Sequence, residues 1–407
     1  MITLDLYMTA GIGVVALLLG LLFTRIIPFL KRFCIPAPVS GGLLISLITL
    51  LIHSVFHLDL SFDGTIKDIC MMLFFTSVGF QSDLRVLRQG GRPLVVIIGL
   101  VAVLIVLQNL LAVGLARAMD LSPLVGMAAG SIPMSGGHGT AGGFYPVLAS
   151  MGLDGADSVT MAAATFGLVA GSLIGGPLGE HLVRRHRLAG ESASKDSFEG
   201  IEAVQSTKES RSGHALSEEQ AFRYYTQASC QLILAMALGM GLSKLLARTG
   251  ITFPTYFGAL LVAAVIRNIF PEREGKRNVI RKEEIIFLGN ICLSLFLGMA
   301  MSTLKLWELS GLMLPLLAIL LGQGLMMILY AALVAFPALG KNYDAAVLVS
   351  GLCGFGLGAT PNAMANMSAV CYKYRYAVKP FIIVPIIGAM FVDLINTGVI
   401  TLFLNFI

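Results

Sequence analysis

The sequence predicts an all-α integral membrane protein with two inverted-topology repeats, each of five transmembrane helices and one re-entrant, glycine-rich hairpin. Three observations lead to this prediction: an apolar composition, a weak internal repeat, and glycine-rich interruptions at matching positions of the two halves. Of the 407 residues, 56% are hydrophobic and 13% are charged, and the mean hydropathy is +0.85. In soluble domains about a quarter of all residues are charged. The charged fraction of this chain is far lower, which predicts an integral membrane protein.

Ten apolar runs approach or exceed the about 20 residues that a membrane-spanning helix needs once its flanks are included. They are residues 8–23, 39–58, 69–80, 94–116, 161–178, 230–246, 256–269, 285–301, 312–339 and 381–406. We predict that the first run is a span and not a removable signal peptide, because no lysine or arginine precedes Arg25. Two further apolar stretches, 121–151 and 344–372, are interrupted at mid-length by glycine and proline.

The distribution of basic residues predicts the orientation. If the N-terminus is external and all ten runs cross, 23 of the 28 lysines and arginines lie on the cytoplasmic side. The positive-inside rule favours this topology over its mirror image, and it predicts that both termini are periplasmic. The net charge of +5 is then a consequence of topology, and we predict no nucleic-acid partner.

A weak repeat relates the two halves of the chain. Residues 69–87 (ICMMLFFTSVGFQSDLRVL) align without a gap with residues 291–309 (ICLSLFLGMAMSTLKLWEL) at an offset of 222, which also pairs Pro93 with Pro315. Residues 35–46 resemble 253–263 after a small gap, and 127–139 fall opposite 348–361. Such repeats are the sequence signature of an architecture built twice.

The repeat predicts the domain organisation. Residues 1–183 form the N-terminal repeat with its hairpin at 121–151, and residues 226–407 form the C-terminal repeat with its hairpin at 344–372. The polar segment 184–225 is predicted to be a cytoplasmic linker. Because each half holds five spans, an odd number, the second half enters the membrane in the opposite orientation to the first. Inverted repeats with interrupted helices at matching positions indicate a secondary transporter, whose binding site lies at the interrupted segments.

The tips of the two hairpins are the predicted substrate site. A broken helix survives in a membrane only where protein or a wet cavity surrounds it, and its free amides and helix N-terminus favour a carboxylate. The candidate substrate ligands in the two tips are Ser135, Gly136, Gly137, His138, Gly139, Thr140, Gly356, Gly358, Thr360 and Asn362. The alternative for the glycines is that they only permit close helix packing. The alternatives for His138 are that it only stabilises its loop or that it shuttles a proton.

Asp393 is the candidate ligand of a cation. It lies inside the tenth apolar run without a basic residue within one helical turn, and Asn396 shares its helix face. A carboxylate there needs a proton or a cation, and Na⁺ would take oxygen ligands from Asp393, Asn396 and Thr360. The alternative is a structural, hydrogen-bonded aspartate. Four other polar residues lie within apolar runs: Gln108, Gln323, Asn290 and Thr165. They either hydrogen-bond neighbouring helices to one another or line the transport path.

Five segments carry a resemblance to a known family: GSIPMSGGHGTAGG (130–143), ATFGLVAGSLIGGP (164–177), LWELSGLMLPLLAIL (306–320), GKNYDAAVL (340–348) and CGFGLGATPNAMANM (353–367). They resemble the bacterial sodium/glutamate symporter family along almost the whole chain. The motif positions that correspond are 135–140, 354–360 and Asp393.

The resemblance implies a function. It implies Na⁺-coupled uptake of L-glutamate across the bacterial inner membrane by a homodimer, with Na⁺ as the coupling ion, no other cofactor and no enzymatic activity. It further implies an elevator mechanism, in which the third to fifth spans of each half move with their hairpins against a dimeric scaffold of the first two.

Two alternatives come from other classes. A proton- or sodium-coupled carrier of another organic anion, such as citrate, would use the same architecture. An intramembrane serine protease would use Ser135 and His138, whose side chains would then have to hydrogen-bond to each other.

Overall fold

The computed structural model describes residues 2–83, 85, 91–188, 218–248, 253–270, 279–309 and 311–407. Helices dominate all of these ranges. Most of the predicted linker 184–225 lies outside the described residues, so its prediction is not addressed by the structure.

The first half begins with a short strand and continues in helices. Its elements are β1 (Ile2–Leu4), α1 (Leu6–Ile26), α2 (Pro28–Arg32), α3 (Ala37–Phe56), β2 (Leu60–Phe62), α4 (Thr65–Gln81), α5 (Gly91–Ala118), α6 (Pro123–Ala128), α7 (Ser131–Met134), α8 (Gly137–Ser150) and α9 (Ala156–Arg185). The strands β1 and β2 pair in parallel, with Ile2 opposite Leu60. This small sheet was not predicted, and it ties the start of the chain to the loop after α3.

The second half is helical throughout its described residues. Its elements are α10 (Glu218–Ala247), α11 (Phe257–Ile269), α12 (Lys282–Ser302), a 3-10 turn (Leu306–Leu309), α13 (Met313–Tyr330), a π-helical turn (Ala331–Ala335), α14 (Phe336–Ala338), α15 (Tyr343–Gly356), α16 (Thr360–Lys373), α17 (Val378–Met390) and α18 (Val392–Phe406).

Side-chain caps explain where several helices begin. Asp5 accepts a hydrogen bond from the amide of Met8 at the start of α1, and Asn342 accepts one from the amide of Ala345 at the start of α15. Ser122 does the same for Leu124 at the start of α6. Each cap satisfies one of the amide groups that the first helical turn leaves without a partner.

Seven helices of the described chain are long and apolar enough to cross a membrane, or eight when one bent pair is counted as a single broken span. The seven long helices confirm predicted spans one, two, four, five, six, eight and nine. The third and seventh predicted spans are the shorter helices α4 and α11, of 17 and 13 residues. A 13-residue helix is roughly 20 Å long, less than the hydrocarbon core of about 30 Å.

The tenth predicted span is not one continuous helix, and it is the bent pair of helices that counts as the eighth candidate span. A break separates α17 from α18, and the two segments are bent by 45°. The second hairpin presses against the chain just before this break, because a Cβ added to Gly388 would overlap the side chain of Thr360. Asp393 lies in the first turn of α18, directly after the bend.

The helices pack into two groups. The frame group consists of α1, α3, α4, α10, α11 and α12, which contact one another extensively. The hairpin group consists of α5 to α9, α13 and α15 to α18, with α9 packed against both hairpins. The helices of the third and eighth predicted spans, α4 and α12, therefore pack with the frame group, whereas the resemblance had suggested that they belong with the hairpins.

Candidate functional site

Both interrupted segments consist of short helices joined at breaks, three helices in the first and two in the second. In the first hairpin Ser135 and Gly136 separate α7 from α8, and Gly137 adopts a positive φ of 59°. This backbone conformation favours glycine because other residues meet a steric penalty there. In the second hairpin residues 357–359 separate α15 from α16. The first arm of each hairpin, Pro123–Met134 and Tyr343–Gly356, is a short apolar helix.

The two tips meet each other. The Ser135 hydroxyl lies 3.4 Å from the carbonyl oxygen of Gly356, and a Cβ on Gly137 would lie 3.0 Å from the carbonyl oxygen of Gly358. A cavity of about 120 Å³ lies at this junction. Its lining residues are Ser135, Gly136, Phe355, Ala359, Thr360, Gly388, Val392 and Asp393. The structure therefore brings the two tips and Asp393 to one cavity.

Asp393 joins this cavity from α18. Its Oδ1 atom accepts a hydrogen bond from the Thr140 hydroxyl at 3.4 Å. Thr140 is fully buried and belongs to the first tip. The carboxylate is thus attached to the first hairpin while it lines a cavity shared with the second.

Gln108 of α5 links the two tips. Its Nε2 atom donates a hydrogen bond to the carbonyl oxygen of Gly356 at 2.7 Å, and its Oε1 atom accepts one from the Ser135 hydroxyl at 2.7 Å. Gln323 of α13 donates a hydrogen bond to the Gln108 carbonyl oxygen at 2.8 Å. The sequence identified both glutamines as polar residues within spans, but it did not associate them with the tips.

A second polar cluster lies behind the first tip. The Oδ1 atom of Asn109 accepts a hydrogen bond from the Ser131 amide at 2.8 Å, and Asn396 donates one to the Ser131 carbonyl oxygen at 2.9 Å. Within the part of the chain that the structure describes, the buried Oδ1 atom of Asn396 and the Ser131 hydroxyl have no hydrogen-bond partner. Buried polar atoms are normally paired, so these two oxygens are available to a ligand.

Three of the predicted ligands contact neighbouring helices. The Nε2 atom of His138 is 3.0 Å from the Thr165 hydroxyl on α9. Asn362 donates hydrogen bonds to the Leu168 carbonyl oxygen at 2.7 Å and to the Ser172 hydroxyl at 2.9 Å. A Cβ on Gly139 would lie 3.1 Å from the Phe74 ring. These three residues lie in or beside the tips, but they do not line the cavity.

Ser135 and His138 do not form the nucleophile and base of a serine protease. Ser135 hydrogen-bonds to Gln108, whereas His138 hydrogen-bonds to Thr165. An activated serine requires a hydrogen bond to its base, and here each side chain has a different partner.

The fold and the cavity together define a class of protein. Broken helices that converge on a polar cavity, with a carboxylate supplied by a further interrupted helix, are typical of membrane transport proteins that carry their substrate between two hairpins.

Comparison with known proteins gives the family. The model of the family described as sodium/glutamate symporter matches residues 2–376. The sodium/glutamate symporter of Escherichia coli (strain K12) is 38% identical over 405 residues, which cover 99% of this chain and 98% of that protein. The protein of the same name from Haemophilus influenzae is 35% identical over 397 residues, covering 97% and 96% of the two chains. The chain belongs to the sodium/glutamate symporter family, which is a family of transporters and not of enzymes.

Proposed function

We propose that this protein is a secondary active transporter that couples the uptake of L-glutamate to the entry of Na⁺ across a bacterial inner membrane. The observation that carries the proposal is the cavity in which both hairpin tips and Asp393 meet. Family membership over nearly the full length supports the choice of substrate and coupling ion. Both termini are proposed to be periplasmic, on the positive-inside argument.

The two tips are proposed to hold the two carboxylates of glutamate. The helices α8 and α16 begin at Gly137 and Thr360, directly beside the cavity. Each helix N-terminus carries partial positive charge and amide groups without a helical partner. Two such termini at one cavity suit a dicarboxylate. The remaining tip residues of the predicted set, including His138 and Asn362, would position these helix ends through their contacts with α9.

Sodium is proposed to bind beside the substrate. Asp393 supplies a carboxylate, Thr360 a hydroxyl and Asn396 a buried Oδ1 atom that has no hydrogen-bond partner among the described residues. To these predicted ligands we add the Ser131 hydroxyl, which lies on the residue that Asn396 contacts. Oxygen ligands of this kind suit a hard cation.

Charge explains how the two ligands would be coupled. Without Na⁺, the negative charge of Asp393 opposes the binding of a carboxylate in the same small cavity, because like charges repel strongly where water is scarce. Bound Na⁺ cancels this repulsion, so each ligand raises the affinity for the other. Such coupling prevents Na⁺ and glutamate from crossing separately.

Contacts within the frame group support the proposed inverted repeats, 1–183 and 226–407. The thiols of Cys70 and Cys292 are neighbours, and the sequence alignment pairs these two positions at its offset of 222. A residue that touches its own equivalent is expected on a two-fold axis. Gly41 and Gly258, which lie in the similar segments 35–46 and 253–263, both lie against backbone carbonyl groups, those of Ala16 and Gly239. These similar contacts are what two structurally equivalent halves would produce, which supports the proposed repeat.

The boundary between the two groups supports an elevator mechanism. Three glycines of α8 face aromatic rings of the frame group: Gly139 faces Phe74, Gly142 faces Phe296 and Gly143 faces Tyr256. A helix without side chains on this face has nothing that interlocks with the rings, so it is suited to slide past them. We propose that the hairpin group moves as a unit and that the frame group, including α4 and α12, stays fixed and forms the homodimer.

Uptake into proteoliposomes tests the proposed function. The full-length protein is reconstituted and labelled L-glutamate is supplied with an inward Na⁺ gradient, with an inward K⁺ gradient as the control. We expect accumulation only with Na⁺, and competition by unlabelled glutamate but not by citrate. Accumulation of labelled citrate instead of glutamate, or uptake driven by a proton gradient without Na⁺, would favour the organic-anion alternative.

A further inference from the structure

A second and larger cavity lies between the frame group and the hairpin group, where α4 and α9 begin. Its volume is about 390 Å³, and it shares no lining residue with the cavity between the tips. Asp63 and Lys67 line it from the frame group, and Tyr145 and Asp157 line it from the hairpin group. Lys305 and Trp307 line it from the connection that leads from α12 to α13.

Charges of both signs face this cavity. The Lys67 ammonium group donates a hydrogen bond to the Tyr145 hydroxyl, and an ammonium group has two further N–H donors. Asp157 uses its Oδ1 atom to accept a hydrogen bond from the Ser158 amide at 2.7 Å. Asp63 accepts a hydrogen bond from the Thr65 amide at 2.8 Å, and bonds from the Thr65 side chain and backbone lower the pKa of Asp63. Asp63 is therefore a carboxylate at neutral pH.

We infer that this cavity is a second binding site, and that its ligand is a free α-amino acid. An α-amino acid carries a carboxylate and an ammonium group a few ångströms apart. Lys67 and Lys305 provide positive groups for its carboxylate, and Asp63 and Asp157 provide carboxylates for its ammonium group. A simple anion or a bare cation would satisfy only one of these two sets of charges.

The position of the cavity links this ligand to movement between the groups. Because Lys67 belongs to the frame group and Asp157 to the hairpin group, a ligand that contacts both stabilises the arrangement in which these residues face each other. A ligand that binds one arrangement better shifts the population toward it. An amino acid bound at this site therefore slows the movement of the hairpin group, relative to the frame group, away from the arrangement described here.

The fluorescence of the only tryptophan of the chain is expected to change when a ligand binds in this cavity. Trp307 lines it and stacks on His53, with ring centroids 4.1 Å apart. Purified full-length protein in Na⁺-free buffer is titrated with L-glutamate while tryptophan fluorescence is recorded. We expect a saturable change that Trp307→Phe abolishes. Glutarate, which has both carboxylates of glutamate but no ammonium group, should bind at least about tenfold more weakly, because the contacts to Asp63 and Asp157 are lost.

Variants identify which cavity produces the signal. Asp63→Asn and Asp157→Asn should each weaken the affinity for glutamate about tenfold, since each removes one charged partner. Asp154→Asn, on the exposed loop before α9 and outside the cavity lining, is the matched control and should leave the affinity unchanged. Asp393→Asn alters only the cavity between the tips and should retain the signal.

The choice of L-glutamate as probe rests on the proposed function, and the outcomes separate the two proposals. A saturable Na⁺-independent signal in a protein that does not transport glutamate would support the second site and refute the transport proposal. A signal that requires Na⁺ and disappears in Asp393→Asn would refute the second site, because it would report the cavity between the tips. The absence of any fluorescence change, in protein that binds labelled glutamate with Na⁺, would refute it as well.

Discussion

Gln108 donates a hydrogen bond to the carbonyl oxygen of Gly356, 248 positions further along the chain, at 2.7 Å. The same side chain accepts a hydrogen bond from Ser135 in the other hairpin. Gln108 is fully buried, so water does not replace either bond if the side chain is lost. The side-chain amide of Gln108 therefore fixes the spacing between the two tips, which makes Gln108 a positioning residue for the cavity.

Replacing Gln108 should weaken substrate binding. In Gln108→Leu the buried Gly356 carbonyl and the Ser135 hydroxyl lose their partner, at a cost of about 1–3 kcal/mol, so we expect the KM of Na⁺-driven glutamate uptake to rise about tenfold or more. The KM is measured in proteoliposomes. Asn290→Ala, which changes an exposed polar residue of α12, is the control. An unchanged KM in well-folded Gln108→Leu would mean that the two tips are positioned without this residue.

Adding a methyl group at Gly143 should slow transport more than binding. A Cβ there would overlap the ring of Tyr256, so the hairpin group would have to displace a packed aromatic side chain in order to move. For Gly143→Ala we expect the initial rate of uptake to fall at least about tenfold, while Na⁺-dependent glutamate binding changes by less than about threefold.

Gly114 supplies the matched control for this experiment. It lies in α5, and a Cβ added there would meet no atom within 4 Å. Gly114→Ala should transport like the parent protein. Equal loss of binding and uptake in Gly143→Ala would instead mean that the substitution distorts the site, and it would remove the support for a sliding surface.

Cross-linking distinguishes the fixed helices from the moving ones. Cys70 and Cys292 both belong to the frame group and their thiols are neighbours, so oxidation of the two thiols to a disulfide by copper phenanthroline should leave uptake intact. In a background without the native cysteines, the pair Phe74→Cys and Gly139→Cys joins the frame group to the hairpin group. Oxidation of that pair should stop uptake, and reduction should restore it.

The opposite pattern would change the division between the groups. If the disulfide between Cys70 and Cys292 stops uptake, then α4 and α12 move relative to each other during transport. In that case the frame group would not be a rigid unit. If the disulfide between positions 74 and 139 instead leaves uptake intact, α4 moves together with the hairpin group, as the resemblance suggested.

Hydropathy and backbone chemistry explain what the sequence could predict. The long spans follow from apolar runs, because every residue in lipid must be apolar or satisfied. The two tips follow from glycine and proline, which interrupt helices wherever they occur together. The sequence also singled out Asp393, because a carboxylate within an apolar run has few uses other than a functional one. Asp393 lines the cavity, and its role as a cation ligand stays a prediction.

Tertiary contacts explain what the sequence could not predict. The break before α18 lies beside the contact between Gly388 and the second hairpin, and a single glycine does not predict a break because glycine is common in unbroken spans. Gln108 contacts residues 27 and 248 positions away, so only the fold brings it to the tips. The cavity beside Trp307 is likewise formed between the two groups and has no continuous motif.

The most direct test of the central claim is Na⁺-dependent binding and uptake of labelled L-glutamate by Asp393→Asn. Glu180→Gln is the control, because Glu180 pairs with Lys373 and Arg184 away from the cavity. We expect uptake by Asp393→Asn to lose its Na⁺ dependence and to fall at least about tenfold, since the charge proposed to hold the cation is gone. Unchanged Na⁺ dependence and uptake in Asp393→Asn would contradict the proposal that Asp393 binds the coupling ion, and the coupling site would then have to lie elsewhere.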